Sequence, residues 1–111
     1  MDTPWAVTPE KIHQAVERIV KLRHPSRVIV FGSVVRGGMT RHSDMDLLVV
    51  TKEEVSSQRA ESVRLRRALR GISMPMDILV ISERRLREVA DRPGLIYREA
   101  LRHGKVLHAS K

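Results

Sequence analysis

The sequence contains no cysteine and only one tryptophan, one tyrosine and one phenylalanine. Without cysteine the chain forms no disulfide and binds no metal through thiolate ligands. With so few aromatic side chains it offers no stacking platform for single-stranded nucleic acid. No apolar run approaches the roughly 20 residues that a membrane-spanning helix needs, and the N-terminus lacks the basic and apolar segments of a secretory signal. We therefore expect a cytoplasmic protein that does not enter the membrane.

Length and charge limit the organisation further. The chain has 111 residues, of which 41% are hydrophobic and 31% charged, so we expect one domain over residues 1–111 with a modest core. The formal net charge of +8 is compatible with nucleic acid, an acidic partner or a merely solvated surface. Because acidic residues are interspersed with the arginines of the predicted helices, we interpret the charge as a solvated surface. Specific nucleic-acid binding is therefore not expected.

Hydrophobic periodicity predicts an α/β chain in which helices alternate with short apolar strands. Thr8 and Pro9 predict the start of a first helix that ends near Arg23. The other predicted segments are a strand at 27–31, a short helix after Ser33, a glycine-bearing loop at 37–43, a strand at 44–50, a helix at 53–70, a strand at 76–81, a helix at 83–90 capped by Ser82, and a helix at 93–103 closed by Gly104.

A strand-to-helix turn at Gly32 and Ser33 predicts an anion site. Gly32 has the backbone freedom that a tight turn needs. The first turn of a helix leaves its N–H donors unpaired, and its dipole favours negative charge, so Ser33 and the adjacent amides suit a phosphate. Ser33 also fits the role of a helix cap, which is compatible with phosphate binding. Arg36 either contacts the same phosphates or pairs with a surface acid.

Three aspartates predict a metal site. Asp44 and Asp46 are two residues apart on a predicted strand, so they project from the same face and repel each other unless a cation lies between them. Asp77 lies near the start of another apolar strand, where a buried charge needs a partner. Hard oxygen ligands favour Mg²⁺, with Mn²⁺ as an alternative, and three acids suffice for two ions. Alternatively, Asp44 and Asp46 face solvent on an edge strand, and Asp77 only marks a strand start.

The order of these features resembles the minimal nucleotidyltransferases (MNT) of the DNA polymerase beta-like superfamily. The family motif is Gly-Ser, about ten residues, Asp-x-Asp and a later strand acid, which Gly32-Ser33, Asp44, Asp46 and Asp77 match. Residues 33–37 resemble the family's Ser-x-x-Arg-Gly turn, and residues 97–107 resemble its closing segment. The resemblance covers nearly the whole chain. It implies a small α/β fold with a short mixed sheet of three to four strands flanked by helices.

The resemblance also implies a reaction, the transfer of AMP from ATP to a hydroxyl group with release of pyrophosphate. Gly32, Ser33 and Arg36 would bind the nucleotide, and Asp44, Asp46 and Asp77 would be the catalytic residues that hold two Mg²⁺ ions. Asp77 would also help to deprotonate the acceptor.

Small members of this family are commonly antitoxins that silence a partner HEPN ribonuclease toxin, several of them by adding AMP to one of its tyrosines. The resemblance thus implies ATP and a HEPN-type toxin as partners, with a hetero-oligomer as the assembly. The alternative is an antitoxin that neutralises its partner by binding alone. Transfer to RNA or to a small molecule is less favoured, because the chain carries no appended acceptor domain.

Overall fold

The computed structural model describes residues 8–32, 45–72, 76–93 and 95–110. The short helix predicted after Ser33 and the glycine-bearing loop lie outside these residues. The described helices and strands are, in chain order, α1 (Pro9–Arg23), β1 (Arg27–Phe31), β2 (Met45–Thr51), α2 (Gln58–Ala68), β3 (Met76–Ser82), α3 (Glu83–Val89), α4 (Ile96–His103) and β4 (Lys105–Ala109).

The four strands form one mixed sheet in the order β3-β2-β1-β4. β1 pairs antiparallel with both β2 and β4, whereas β2 and β3 are parallel. A parallel pair needs a crossover connection, and α2 provides it. The expected short mixed sheet flanked by helices is therefore confirmed. None of the helices in the described segments has the length and apolar content that a bilayer span requires.

Both faces of the sheet are covered, which gives the chain two hydrophobic clusters. Alternate residues of a strand point to opposite faces. Leu47 of β2 therefore packs with α1 and α2 on one face, and Leu48 packs with α3 and α4 on the other. β2 lies between two other strands and is apolar on both sides from Leu47 to Val50, as buried central strands usually are. Its only charged residue is Asp46, at the end where the helical cover stops.

Two helix starts follow the predicted capping pattern. The Thr8 hydroxyl accepts a hydrogen bond from the Lys11 amide at 3.2 Å, and Pro9 opens α1. The Ser82 hydroxyl accepts one from the Arg85 amide at the start of α3, also at 3.2 Å. Such caps satisfy donors that the first turn of a helix leaves unpaired. The predicted bounds of α1 and the start of α3 are confirmed.

Two other helices begin later than predicted. α2 starts at Gln58 and not at Glu53, because Ser57 caps it by accepting a hydrogen bond from the Ala60 amide at 3.1 Å. Upstream, the Thr51 hydroxyl donates to the Glu53 carbonyl at 2.8 Å and holds a turn. α4 starts at Ile96 and not at Pro93, since its N-cap residue Leu95 is extended.

The strand β4 was not among the predicted segments. It is an edge strand whose residues are exposed, exposed, half-buried, half-buried and exposed in turn, so it lacks the regular alternation that predicts a half-buried strand. Its register against β1 also shifts between Val28 and Ile29. Gly104 ends α4, as predicted, and separates it from β4. Its φ of −77° can be adopted by any residue, so backbone conformation does not require glycine here. A Cβ atom at Gly104 would instead overlap the Ala100 carbonyl oxygen, and it would also crowd the side chain of Ile29. Glycine is needed here for close packing on β1.

We expect the variant Gly104→Ala to lower the free energy of unfolding by about 1–3 kcal/mol, the usual cost of overpacking. The added methyl group would push α4 away from β1. Urea unfolding followed by circular dichroism measures the loss, with His103→Ala at the adjacent exposed position as the control. Equal stability of the Gly104 variant and the wild type would show that the close approach is not tight.

Candidate functional site

A row of three residues crosses the sheet at one end and brings two of the predicted acids together. In the strand register, Phe31 of β1 is opposite Asp46 of β2, and Asp46 is opposite Asp77 of β3. Residues directly opposite on neighbouring strands are about 4.8 Å apart at the backbone and share a face. The structure therefore places Asp46 and Asp77 side by side on the face that α3 and α4 cover elsewhere.

Gly32 directly follows β1 and touches this row. Its φ is +91°, a conformation that L-residues other than glycine rarely adopt. A Cβ atom added to Gly32 would overlap Oδ2 of Asp46. The missing side chain therefore lets the Asp46 carboxylate lie against the backbone at the exit of β1. The predicted turn glycine and one predicted acid are in direct contact.

The two acids differ in exposure. Asp46 is half-buried, whereas Asp77 is exposed. Further along the same face, Leu48 and Ile81 are buried under the two covering helices. The carboxylates thus lie where the apolar cover ends, and the site is open to solvent on the side of β3. Asp77 lies on β3, the strand at the outer edge of the sheet.

The helix α2 closes the backbone of that outer edge. The Ser62 hydroxyl donates to the Ile78 carbonyl at 2.6 Å, and the Gln58 side-chain amide donates to the Val80 carbonyl at 2.8 Å. These bonds satisfy acceptors that an edge strand would otherwise expose. They also hold β3, and with it Asp77, in a fixed position. Neither Gln58 nor Ser62 was singled out from the sequence. Their spacing of four residues places both on one side of a helix, which was a usable signal that they contact the same neighbour.

Three predicted site residues lie outside the described residues, namely Ser33, Arg36 and Asp44. Their assignments stay predictions, as do the nucleotide-binding assignment of Gly32 and the catalytic assignments of Asp46 and Asp77. Within the described ranges, no group of three or more histidines or acids is arranged to hold a metal ion. Asp46 and Asp77 form a pair, and the predicted third acid directly precedes β2.

The pair itself has the chemistry of a divalent-cation site. Like charges directly opposite each other on neighbouring strands are destabilising, so a cation between them would relieve the repulsion. Magnesium commonly binds through one or two carboxylates and completes its shell with waters and substrate phosphates. Asp46 and Asp77 supply that donor set on an open face. The residues present therefore fit a divalent metal.

Comparison with known proteins identifies the family and supports the fold. A family model described as a nucleotidyltransferase domain matches residues 9–108, which include every residue of the site. None of the curated proteins matches the sequence significantly. Among solved structures, the fold is similar to that of a Sulfolobus solfataricus protein provisionally described as a nucleotidyltransferase, with a TM-score of 0.61 and 21% sequence identity. That match covers 87% of this chain and 76% of the other.

Proposed function

The chain belongs to the nucleotidyltransferase domain family, and on this premise we propose that it transfers AMP from ATP to a hydroxyl group of a partner protein. The observation that carries the proposal is the pairing of Asp46 opposite Asp77 in the strand register. Gly32 lies beside Asp46 and has no side chain that would displace its carboxylate. Membership alone supports nucleotidyl transfer in general. ATP as donor and a protein as acceptor are the parts that need testing.

The proposed reaction forms one bond and breaks one. The acceptor hydroxyl oxygen bonds to the α-phosphorus of ATP, and the bond from that phosphorus to the bridging oxygen breaks. Pyrophosphate carries away the electron pair of the broken bond, and the hydroxyl proton leaves for a base. Asp77, the exposed acid on the open side, is the residue proposed to receive or direct that proton. Gly32 and the predicted Ser33 would hold the triphosphate on the opposite side.

Nucleotidyltransferase domains generally use divalent metals, and Asp46, Asp77 and the predicted Asp44 would hold them here. When bound, such ions neutralise the phosphate charge and stabilise the attacking and leaving oxygens. The protein's own contribution is to fix the carboxylates. Asp46 is held against the backbone at Gly32, and Asp77 is held by the edge bonds of β3.

For the acceptor we propose a tyrosine of a HEPN-type ribonuclease toxin, which this chain would silence as its antitoxin. Asp77 is exposed at the outer edge of the sheet, and Asp46 beside it is only half-buried. An open edge suits a side chain that protrudes from another protein. The proposed pair would form a hetero-oligomer.

Incubation with α-phosphate-labelled ATP, Mg²⁺ and an extract of the source cells tests the proposal. We expect label on a protein band, and mass spectrometry should then place an adenylyl group on a tyrosine. The Asp46→Asn variant, run in parallel, should give no label. Label on RNA or on a small molecule would keep nucleotidyl transfer and overturn the protein acceptor. Neutralisation of a toxin by the Asp46 variant as well as by wild type would favour an antitoxin that acts by binding alone.

A further inference from the structure

The face of α2 turned away from the sheet carries an unusual excess of positive charge. Successive helix residues are rotated by 100°, so the buried Leu65 and the sheet-bound Ser62 define the inner face. Arg59, Arg64 and Arg67 lie on the opposite side of the helix around Val63, and we call these four residues the α2 arginine face. All four are exposed.

These arginines are not neutralised within the described part of the chain. The only acid of the helix, Glu61, is turned towards α1, where its carboxylate pairs with Nε of Arg23 at 2.6 Å. No described residue forms an ion pair with the arginine side chains of the α2 arginine face. From the sequence, Glu61 was expected to be interspersed with the arginines and the helix to be merely solvated. The structure separates them onto different faces.

The α2 arginine face has a shape as well as a charge. An open groove of about 530 Å³ follows it, lined by Ser57, Arg59, Ala60, Val63, Arg64 and Arg67. Val63 is 42% exposed in this groove, between arginines on either side. An exposed apolar side chain surrounded by unpaired cations fits a partner with the complementary arrangement. That arrangement is an apolar side chain flanked by carboxylates.

The helix α2 also follows the outer edge of β3. Gln58 is bonded at Val80 and Ser62 at Ile78, so α2 runs antiparallel to β3. Four residues of a helix and two residues of a strand advance by similar distances, about 6 Å and about 6.6 Å. Arg66 lies four residues after Ser62, so it is level with the start of β3. Asp77 follows that position along β3, and its side chain lies on the face that α3 and α4 cover elsewhere. The helix α2 thus follows the strand that carries Asp77, along the sheet edge farthest from Gly32.

We infer that the α2 arginine face is the docking surface for the acceptor protein, and that it recognises an acidic segment with a central apolar residue. The inference rests on the proposed function, because it assigns the surface from which the acceptor reaches Asp77. A protein fits better than nucleic acid, since none of the described residues that line the groove is aromatic and able to stack on a base. Charge complementarity would speed the encounter and select acidic partners.

The test measures binding without nucleotide, so it does not depend on catalysis. The probe is a fluorescein-labelled peptide of glutamates around one leucine, and fluorescence anisotropy gives its dissociation constant. The Arg59→Glu/Arg67→Glu variant should weaken binding at least about tenfold, because each lost pair is replaced by repulsion. The matched control is Arg87→Glu/Arg92→Glu, which makes the same change of net charge at exposed positions outside α2. It should weaken binding less than about twofold.

Further variants and a second probe complete the design. Val63→Ser should weaken peptide binding while leaving the net charge unchanged, and Arg59→Gln/Arg67→Gln repeats the test without added repulsion. Circular dichroism checks that each variant is folded. Equal weakening by the α2 and control variants would overturn the inference, as would the absence of peptide binding to the wild type. If the wild type bound a single-stranded RNA of equal charge more tightly than the peptide, and the Arg59→Glu/Arg67→Glu variant lost that binding, the surface would be reassigned to nucleic acid. Failure of AMP transfer with intact peptide binding would refute the proposed reaction alone.

Discussion

Substitution of Asp46 by asparagine should reduce nucleotidyl transfer at least about a hundredfold while the protein stays folded. Loss of groups that only support a metal ligand already costs about 10- to 100-fold, so the loss of a ligand itself should cost no less. The asparagine side chain would keep the size of the aspartate and its place in the row but remove its charge. The fold should persist because β2 stays paired with β1 and β3 through its backbone. The rate of label transfer from ATP and the unfolding midpoint together measure the two effects.

The matched control for this variant is Asp91→Asn, which removes an exposed carboxylate outside the row. It should leave the transfer rate within about twofold of the wild type, because an exposed charge acts weakly at a distance. Asp77→Asn should resemble the Asp46 variant in transfer rate. Full activity in either row variant would refute the assignment of that aspartate to the catalytic site.

Substitution of Gly32 by alanine should also abolish most of the activity, for a different reason. The added Cβ would occupy the position of Asp46 Oδ2, so the carboxylate would have to move. A displacement of about 1 Å at a reacting centre can cost about a hundredfold in rate. The positive φ at this position adds a backbone cost of about 1–2 kcal/mol to folding. Transfer rate and free energy of unfolding should therefore both fall.

Gly71 provides a control that separates the two effects. Its φ is +99°, close to that of Gly32, but an added Cβ would meet no atom of the described residues within 4 Å. Gly71→Ala should therefore carry a similar backbone cost of about 1–2 kcal/mol and keep its transfer rate. If both alanine variants lost stability equally and neither lost activity, the contact between Gly32 and Asp46 would have no catalytic role.

The first three strands and the caps of α1 and α3 were predictable because local signals specify them. β1 is a short run of mostly β-branched residues. Thr8 and Ser82 mark the starts of their helices because their hydroxyl groups can cap a helix. The late start of α2 was not predictable in this way, since Glu53 to Ser56 are compatible with a helix and only the hydrogen bonds around Thr51 and Ser57 decide the boundary. Tertiary contacts override weak local preference at such positions.

The site was predictable in part. The two-residue period of a strand predicts that Asp46 shares a face with its alternate neighbours, but the sequence does not reveal which strand lies beside it. The register that sets Asp46 opposite Asp77 depends on the whole β2-α2-β3 unit. Likewise, the neutralisation of Glu61 by Arg23 depends on how α1 packs against α2. Charge counts along the chain could not show that Glu61 is turned away from Arg59, Arg64 and Arg67.

Nucleotidyl transfer is the central claim, and the position of the label in ATP tests it most directly. Parallel reactions with α-phosphate-labelled and γ-phosphate-labelled ATP, Mg²⁺ and the extract that supplies the acceptor follow the two ends of the triphosphate. We predict that the α-label becomes attached to the acceptor and the γ-label is released in pyrophosphate, both at rates that depend on Asp46. Attachment of the γ-label would instead show phosphoryl transfer and contradict the account, and so would α-label transfer that persists unchanged in the Asp46→Asn variant.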